Sequence, residues 1–496
     1  MSRLSSLPYK AKNIELAECA IYNFRKNYLN IQEIVMGIDI FHDLMDNGVY
    51  CEVTLMESTG LVEFLPIVGD ETLVISFGTP SFDDFRTYVF RVYKVSDRKK
   101  SGERSEAYVI SGVSQEVINN HRLSVKKSYK DLTADKIAKS IYNEFLKPTE
   151  QEHYLVKKKN IHLQESSQNL NLNFPGEKPF TAINMAAREG RVKSPGNMIT
   201  YDFANKQTSS ENLTDVSQAS NFIFYESYDG WYFRTLDSLL QGEVFDTFYL
   251  SEVSTEKPLT IGGKNIHPRQ FIEDLKVEKQ VDTLENISNG LYSHQVETID
   301  TIQKKYTNVT FNYHEQAKRF SHLEDKENEK LYAPNSIFKK VTKSSYTYFL
   351  PSTIGDPREV SYIKQRVHEP FAASLESVET DQQLRNPRKL HEFLSYDVLS
   401  RVQLNNIVLF VTIPGNTNIE IGHIVELVIP QNTEVREYLE KSNLLYNKRF
   451  FVTAVRHIIN KQDSSFFTVM ECVKDIYGKK VEEETRENLQ PIEDDF

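Results

Sequence analysis

Short runs in which hydrophobic and polar side chains alternate dominate the first hundred residues of the chain. Alternation of this kind is typical of strands with one buried face, and residues 88–95 are the clearest case. Turn-forming residues separate the runs, and the polar segment 97–102 is expected to reverse the chain direction. One short helix is expected at 39–45. The predicted strands are 53–55, 61–65, 73–77, 88–95 and 107–112.

The pattern changes to a helical period after Tyr129. Ile137, Ile141 and Phe145 recur at four-residue spacing, with Asp131 as the expected N-cap and Lys147-Pro148 as the stop. A second helix is predicted from Pro179 to Gly190. Residues 221–225 and 231–235 then form a predicted hairpin across 228–230. Residues from about 120 to 240 are therefore expected to form an α+β domain.

The second half of the chain is less regular and returns to strands near its end. Residues 321–330 and 352–390 are polar and are expected to be solvated helix or loop. The segment after Tyr477 is an acidic tail. The strands predicted in this half are 272–277, 307–311, 407–413, 424–429, 450–453 and 466–473.

A loose internal repeat links the two β-rich regions. Gly69-Asp70 leads into 73–75, and Gly422-His423 leads into 427–429. Each copy is followed by a hairpin with a polar turn, 88–95 with 107–113 in the first and 450–459 with 466–473 in the second. Two unrelated hairpins would give the same pattern, so the alternatives are two copies of one β-barrel-like unit or no relation.

Composition and charge narrow the class of protein. The 496 residues carry 59 Lys and Arg against 70 Asp and Glu, and the net charge of −11 disfavours nonspecific binding to nucleic-acid phosphates. Three widely spaced cysteines, Cys19, Cys51 and Cys472, argue against a disulfide scaffold. We see neither a secretory signal nor an apolar run long enough to span a membrane. We therefore expect a soluble protein made in a cytoplasm.

No motif for catalysis, cofactor binding or metal binding stands out. Ser96 and Lys99 match a serine–lysine pattern, but an exposed turn is a poor place for a lysine of lowered pKa. Residues 260–264 lack the spacing of a phosphate-binding loop, so a turn is expected there. We expect Trp231 to be a core anchor. The pairs His368-Glu369 and His391-Glu392 are expected to pack or cap, and the lysine clusters 126–127, 157–159 and 304–305 to be solvated. Among 70 acidic residues, a carboxylate pair for glycoside cleavage stays open.

Three stretches, in this order, resemble a known family. They are 112–116 with the helix 132–141, then 179–188 with the hairpin 221–233, and finally 413–417 with 421–425 and the hairpin 450–473. Together they span most of residues 50–476. The chain resembles the central baseplate hub proteins of contractile-tailed phages of the T4 type, which are related to the hub part of type VI secretion spikes.

The resemblance implies a β-rich α+β fold with two similar tube-type β-barrel domains. The barrels are expected at 1–120 and at 241–320 with 400–476, the α+β domain at 121–240, a mostly irregular or helical insertion at 321–399, and the acidic tail at 477–496. We find no spike-like or lysozyme-like segment, and no catalytic, cofactor-binding or metal-ligating residue carries over from the family.

The resemblance also implies a function and partners. It implies a homotrimer whose six modules form a pseudo-sixfold ring joining a threefold central spike, which can carry a lysozyme, to a sixfold tail tube. The ring would leave a channel for DNA, contact wedge or other peripheral baseplate proteins, and belong to a virion assembled in the host bacterial cytoplasm. The alternatives are a tail-associated cell-wall hydrolase, which would need two converging carboxylates, and another virion component such as a tube initiator.

Overall fold

The computed structural model describes residues 12–429, 448–475 and 478–480, apart from short gaps and longer ones at 150–158, 213–220, 251–258, 313–322, 324–345, 349–363 and 369–399. Strands form most of it. The first β-rich region contains β1 (Glu15–Tyr22), β2 (Tyr28–Asn30), β3 (Val35–Asp43), β4 (Tyr50–Glu57), β5 (Thr72–Gly78), β6 (Phe85–Lys100) and β7 (Glu106–Val113).

The helices lie mainly in the middle region. It contains α1 (Gln115–Arg122), β8 (Val125–Thr133), α2 (Ala134–Ile141) continued by a π-helical turn (Tyr142–Leu146), β9 (Asn160–Gln164), β10 (Asn169–Glu177), α3 (Pro179–Glu189), β11 (Asn197–Asp202), β12 (Gln207–Asn212), β13 (Phe222–Glu226), β14 (Gly230–Thr235) and α4 (Leu236–Leu240).

Strands return in the last part of the chain. It contains β15 (Val244–Leu250), β16 (Leu259–Ile261), β17 (Lys264–Ile266), a 3-10 turn (Pro268–Gln270), β18 (Phe271–Ile272), β19 (Asp274–Lys279), α5 (Thr283–Ser288), β20 (Ser293–Asp300), β21 (Lys305–Asn312), β22 (Tyr346–Tyr348), β23 (Lys364–His368), β24 (Ile407–Pro414), β25 (Ile424–Val428), β26 (Lys448–Asn460), β27 (Ser465–Lys474) and β28 (Gly478–Lys480).

The first β-rich region is an antiparallel sheet in the order β3-β4-β7-β6-β5, which we call the first module. β1 and then β2 extend the sheet beyond β5. Buried and more exposed residues alternate along β4 and the first half of β6, as expected for strands with one face on a core. The hydrophobic periodicity of the sequence therefore located β5, β6, β7 and part of β4, but not β3.

The second β-rich region is an antiparallel sheet in the order β19-β24-β27-β26-β25, which we call the second module. Its strands follow one another in the chain as the strands of the first module do, with a long segment between β19 and β24. β15 and then β18 extend the sheet beyond β25. β15 is parallel to β25, whereas β1 is antiparallel to β5 in the first module.

The two modules agree in backbone detail. An extra residue bulges β6 against β7 at Tyr93 and bulges β26 against β27 at Thr453. Just before each bulge, Val92 N donates to Glu71 O at 3.0 Å, and Val452 N donates to His423 O at 2.9 Å. This alignment places Leu73 with Val425, two residues from the pairing that the sequence repeat suggested.

The middle region packs α1, α2 and α3 against the strands β8 to β14 around a separate hydrophobic core. β13 pairs with β14 from Phe222 opposite Thr235 to Glu226 opposite Trp231, close to the predicted hairpin. α3 begins at Pro179 and is followed by Gly190, which confirms the predicted helix. Trp231 is fully buried, which confirms its role as a core anchor.

Three local predictions were wrong. Residues 39–45, expected to be helical, lie largely in β3, because alternate side chains such as Ile38 and Ile40 are buried in the sheet. Asp131 does not cap α2; it lies inside β8 with a positive φ, and Thr133 occupies the N-cap position. The turn expected at 97–102 begins only after Lys100, because the β6–β7 hairpin extends further.

Neither module closes into a barrel among the described strands, and the fold is β-rich with a separate α+β region. Within 313–399 the structure describes only Leu323, β22 and β23, so most of the predicted insertion lies outside the described residues. Of the predicted acidic tail, only Gly478–Lys480 is described, paired with β22. The predicted strand 61–65 also lies almost wholly outside the described residues.

Replacing Gly415 with alanine is expected to destabilise the fold. A Cβ atom at Gly415 would lie 1.9 Å from Cδ1 of Phe466, which is fully buried. Relieving such an overlap in a packed core costs about 1–3 kcal/mol. Urea unfolding of G415A should show this loss in the free energy of unfolding.

The matched control is G37A, because a Cβ atom at Gly37 would meet only Ile459 O at an ordinary 3.5 Å. Its free energy of unfolding should stay within about 0.5 kcal/mol of the wild type. Equal stability of G415A and the wild type would contradict the packing described here.

Candidate functional site

The junction between the two modules is the most unusual feature of the fold. The second half of β26 leaves β25 and pairs with β3 of the first module, from Ala454 opposite Asp43 to Asn460 opposite Gly37. We call this pairing the module joint. It is antiparallel, and it makes one continuous sheet of the two modules.

Side chains of the second module complete the core of the first at this joint. Ile459 and Phe466 pack among the buried residues of the first module. The Phe466 ring lies 5.6 Å from the ring of Phe77 at a steep angle, a favourable edge-to-face contact. Burial of this apolar surface makes the joint a permanent part of the folded chain.

Two buried histidines face each other beneath the joint. The rings of His42 in β3 and His457 in β26 lie 6.1 Å apart, and the His42 ring also contacts Tyr88. Burial, with the nearby positive charges of Arg86 and Lys159, lowers the pKa of His42 to about 3. Burial likewise lowers the pKa of His457 well below its usual value, and His42 and Arg86 add to this effect. Both side chains are therefore neutral at pH 7.

A buried ion pair joins the modules to the α+β region. Arg86 of β6 contacts Glu420, in the turn before β25, with 2.8 Å between Nη1 and Oε1. The Arg86 guanidinium lies 4.4 Å from the ring centre of Tyr228, in the β13–β14 hairpin, and Ser227 Oγ donates to the Glu420 carboxylate. Because these contacts bring groups from β6, from the turn before β25 and from the β13–β14 hairpin together in the interior, they restrict how the three parts are oriented.

A second buried cluster lies between the first module and the α+β region. Lys159 Nζ donates to Glu116 Oε2 at 3.1 Å and to the Glu226 carboxylate. Trp231 Nε1 donates to Glu116 at 3.1 Å, and Ser114 Oγ donates to Glu226 at 2.6 Å. A cavity of about 300 Å³ adjoins this cluster.

The chemistry of this cluster is that of structural pairing. Burial alone would lower the pKa of Lys159, but the attraction of Glu116 and Glu226 outweighs burial and raises the pKa. A nucleophilic lysine needs a lowered pKa, so Lys159 is poorly suited to that role. Both carboxylates are almost fully buried, and their oxygen atoms accept hydrogen bonds from protein donors. Burial raises the pKa of Glu226 although Lys159 opposes it, but both oxygen atoms of each carboxylate already accept from protein donors, so internal pairing occupies the cluster.

The sequence candidates for chemistry do not come together. Ser96 and Lys99 both lie on the outer half of β6, where Ser96 Oγ contacts Asp97, and Lys99 is exposed. Lys264 is the first residue of β17, and His368 is the last residue of β23. His391 lies outside the described residues. Across the described ranges, no group of three or more His, Cys, Asp or Glu side chains could hold a metal ion.

Lys159 is the residue that sequence reasoning missed. The run 157–159 was expected to be solvated, but Lys159 lies between two buried carboxylates. Its partners are 43 and 67 residues away in the sequence, so no local pattern could reveal them. Lys127, by contrast, is exposed as expected and contacts Glu144 at 2.6 Å.

No described helix is both long and apolar enough to cross a membrane.

No protein-family model and no curated protein matches the chain. Among solved structures, the tail protein from Neisseria meningitidis MC58 is similar with a TM-score of 0.49 and 10% identity, over 93% of this chain and 97% of that chain. The 43 kDa tail protein of prophage MuSo2 from Shewanella oneidensis gives a TM-score of 0.47 and 8% identity, over 92% and 98%.

A third similar structure comes from a secretion system. The E. coli c3393 protein, a component of the type VI secretion system, gives a TM-score of 0.35 and 7% identity, over 93% of this chain and 76% of that chain. The similar structures are thus two tail proteins and a type VI secretion component.

The buried histidines predict a specific dependence of stability on pH. Their pKa values are lowered in the folded chain, so only the unfolded chain takes up protons as the pH falls through about 6.5. The free energy of unfolding should be unaffected well above pH 6.5 and should fall below it. At pH 5.5 each histidine should cost about 1.4 kcal/mol.

Urea unfolding at pH 7.5 and pH 5.5 measures this effect. H42Q should lose less stability between the two pH values than the wild type, by about 1–1.5 kcal/mol. H121Q, at an exposed histidine of α1, is the control and should behave as the wild type. An unchanged pH dependence in H42Q would disprove the assignment.

Proposed function

We propose that the chain is a structural baseplate hub of a contractile phage tail. The observation that carries the proposal is the module joint, because one chain contains two copies of the same five-stranded sheet joined edge to edge. A joint between equivalent modules is heterologous, since different edges of the two modules meet. Repetition of such a joint about one axis generates a ring.

The proposed assembly is a homotrimer. Three chains of two modules give six similar modules, so the ring has true threefold and approximate sixfold symmetry. Such a ring can bind a threefold spike, which can carry a lysozyme, on one face and a sixfold tube or tube initiator on the other. Wedge or other peripheral baseplate proteins would contact the outside, and the residues 321–399 are the proposed contact.

The proposed domains follow the two modules. Residues 1–120 form the first ring domain, 121–240 the α+β domain, and 241–320 with 400–476 the second ring domain. The positions of β3 to β7 and of β19 with β24 to β27 support these boundaries. In this proposal the tube-type barrel closes only when the sheets of several chains join, and the acidic tail 477–496 is a proposed contact for a partner.

The charge of the chain supports a channel that passes DNA. The net charge is −11, and DNA phosphates are held mainly by Lys and Arg side chains. A ring of such chains would repel the phosphates weakly and let DNA slide through during ejection. The proposed place of action is the virion baseplate, after assembly in the host cytoplasm, and the proposed role involves no catalysis and no cofactor.

The mass of the purified protein in solution tests the proposal. We expect light scattering to give 172.5 kDa, three times the 57.5 kDa of one chain, alone or after addition of the spike protein of the same virus. Negative-stain averages should show a central hole and a nearly sixfold outline.

Other masses in solution would indicate other assemblies. A hexamer would favour a tube initiator over a hub. A monomer that persists with the spike present would overturn the hub. The chain should then be assayed for cell-wall hydrolysis, with single Asp and Glu variants to locate any active carboxylates.

A further inference from the structure

Each module has one long strand and one edge strand, and the module joint uses only one of each. It pairs β26, the long strand of the second module, with β3, the edge strand of the first. The counterparts are β6 and β19. Among the described strands, β6 beyond Arg91 pairs only with β7, and β19 pairs only with β24. Within the part of the chain that the structure describes, one strand edge on each module is therefore open.

From its first bulge to Ser96, the open half of β6 matches the joined half of β26; beyond Ser96, β6 has a second irregularity at Asp97, whose φ is positive, that β26 lacks. Both follow a one-residue bulge, at Tyr93 and at Thr453. Counting from these bulges, Ser96 of β6 corresponds to Arg456 of β26, because each lies opposite an equivalent residue of the following strand. The Tyr93 side chain is 48% exposed, whereas Thr453 is buried. The first module thus presents the same kind of edge, uncovered.

The open edge of β19 matches the joined edge of β3. Val277 lies opposite Leu409 of β24, as Ile40 lies opposite Cys51 of β4. Ile40 is completely buried, but Val277 is 41% exposed. A hydrophobic position that is covered in the joined module is therefore open to solvent in the other module.

We propose that the outer half of β6 pairs antiparallel with β19 of a second copy of this chain. The register is that of the module joint, in which Arg456 lies opposite Phe41. The corresponding pair between chains is Ser96 opposite Lys279. This inference rests on the proposed ring and specifies the contact between its subunits. Each chain gives one strand and receives one, so the contact repeats until the ring closes.

The outer half of β6 ends with the exposed Lys99 and Lys100, and β19 begins at the exposed Asp274, just after Glu273, which already pairs with Lys12 at 2.9 Å. The register also places Lys99 close to Lys276, so the pairing depends on backbone hydrogen bonds and on the exposed Val277, and not on charge. Antiparallel pairing in this register brings the end of β6 to the start of β19. Edge lysines also protect a free strand from random pairing, so the separate chain can stay soluble until it assembles.

A pair of cysteines tests the register. Opposite residues of antiparallel strands have Cα atoms about 4.5–5.5 Å apart, which is within the range of a disulfide. Oxidation of the double variant S96C/K279C should give covalent species of two and three chains on a denaturing gel, and none larger. The three natural cysteines are buried and should not interfere.

The single variants S96C and K279C should stay uncrosslinked. So should E52C/K279C, in which Glu52 is exposed but belongs to β4, a strand that is paired on both sides. A crosslinked ladder that continues beyond three chains would mean an open filament and would overturn the closed ring.

A second variant keeps the proposal testable if the cysteines impair folding. V277K places a charge on the open edge, and its mass in solution should fall threefold to 57.5 kDa without a change in circular dichroism. L284K, at a residue 78% exposed in α5, is the matched control and should keep the trimer.

The outcomes distinguish a failure of this contact from a failure of the proposed ring. A trimer that persists in V277K, with no crosslink in S96C/K279C, would overturn this contact and leave the hub in place. A wild-type protein that stays monomeric with the spike protein present would overturn both.

Discussion

An unpaired strand edge is the constraint on which this structure depends. Backbone N–H and C=O groups along an edge need partners, and an open edge will bind another strand when one is offered. At one place the chain supplies such a partner itself. There β26 pairs with β3, so the sheet of one module continues into the other. The separate hydrophobic cores, the buried histidines and the Arg86–Glu420 pair all lie around this junction. Among the described strands, the equivalent edges of β6 and β19 have no such partner, and the proposed contact between chains would supply one.

The strands could be predicted from sequence, but their partners could not. Period-two alternation depends on which face of a strand is buried, and that signal is local; it located most of β5, β6, β7, β24, β26 and β27. Pairing joins residues far apart in the chain, as Arg456 with Phe41, and leaves no local trace. The internal repeat showed the same limit. Its two hairpins were found, but glycine positions alone aligned Leu73 two residues away from its structural counterpart, Val425.

The candidate site shows which side chains a sequence pattern can assign to the core or to the solvent. Trp231 was assigned to the core because a large aromatic ring in a hairpin gains most from burial. Lys159 was assigned to solvent because lysine is rarely buried, and only two distant carboxylates make its burial tolerable. The position of His42 was not predicted, for a related reason. The segment 39–45 was expected to be helical, so its alternation within β3 and its approach to His457 were not foreseen.

The buried polar groups at the joint have a cost that suggests their purpose. Replacement of a buried ion pair such as Arg86–Glu420 by well-packed hydrophobic side chains is often neutral or stabilising in proteins, since desolvation of the charges offsets much of their attraction. Polar groups, however, accept only geometries that satisfy their hydrogen bonds, whereas apolar surfaces can slide. A ring closes only if every joint turns the chain by the same angle. In the proposed ring, the contacts of Arg86 with Glu420 and with Tyr228 would meet that requirement, because they restrict the angle between the modules.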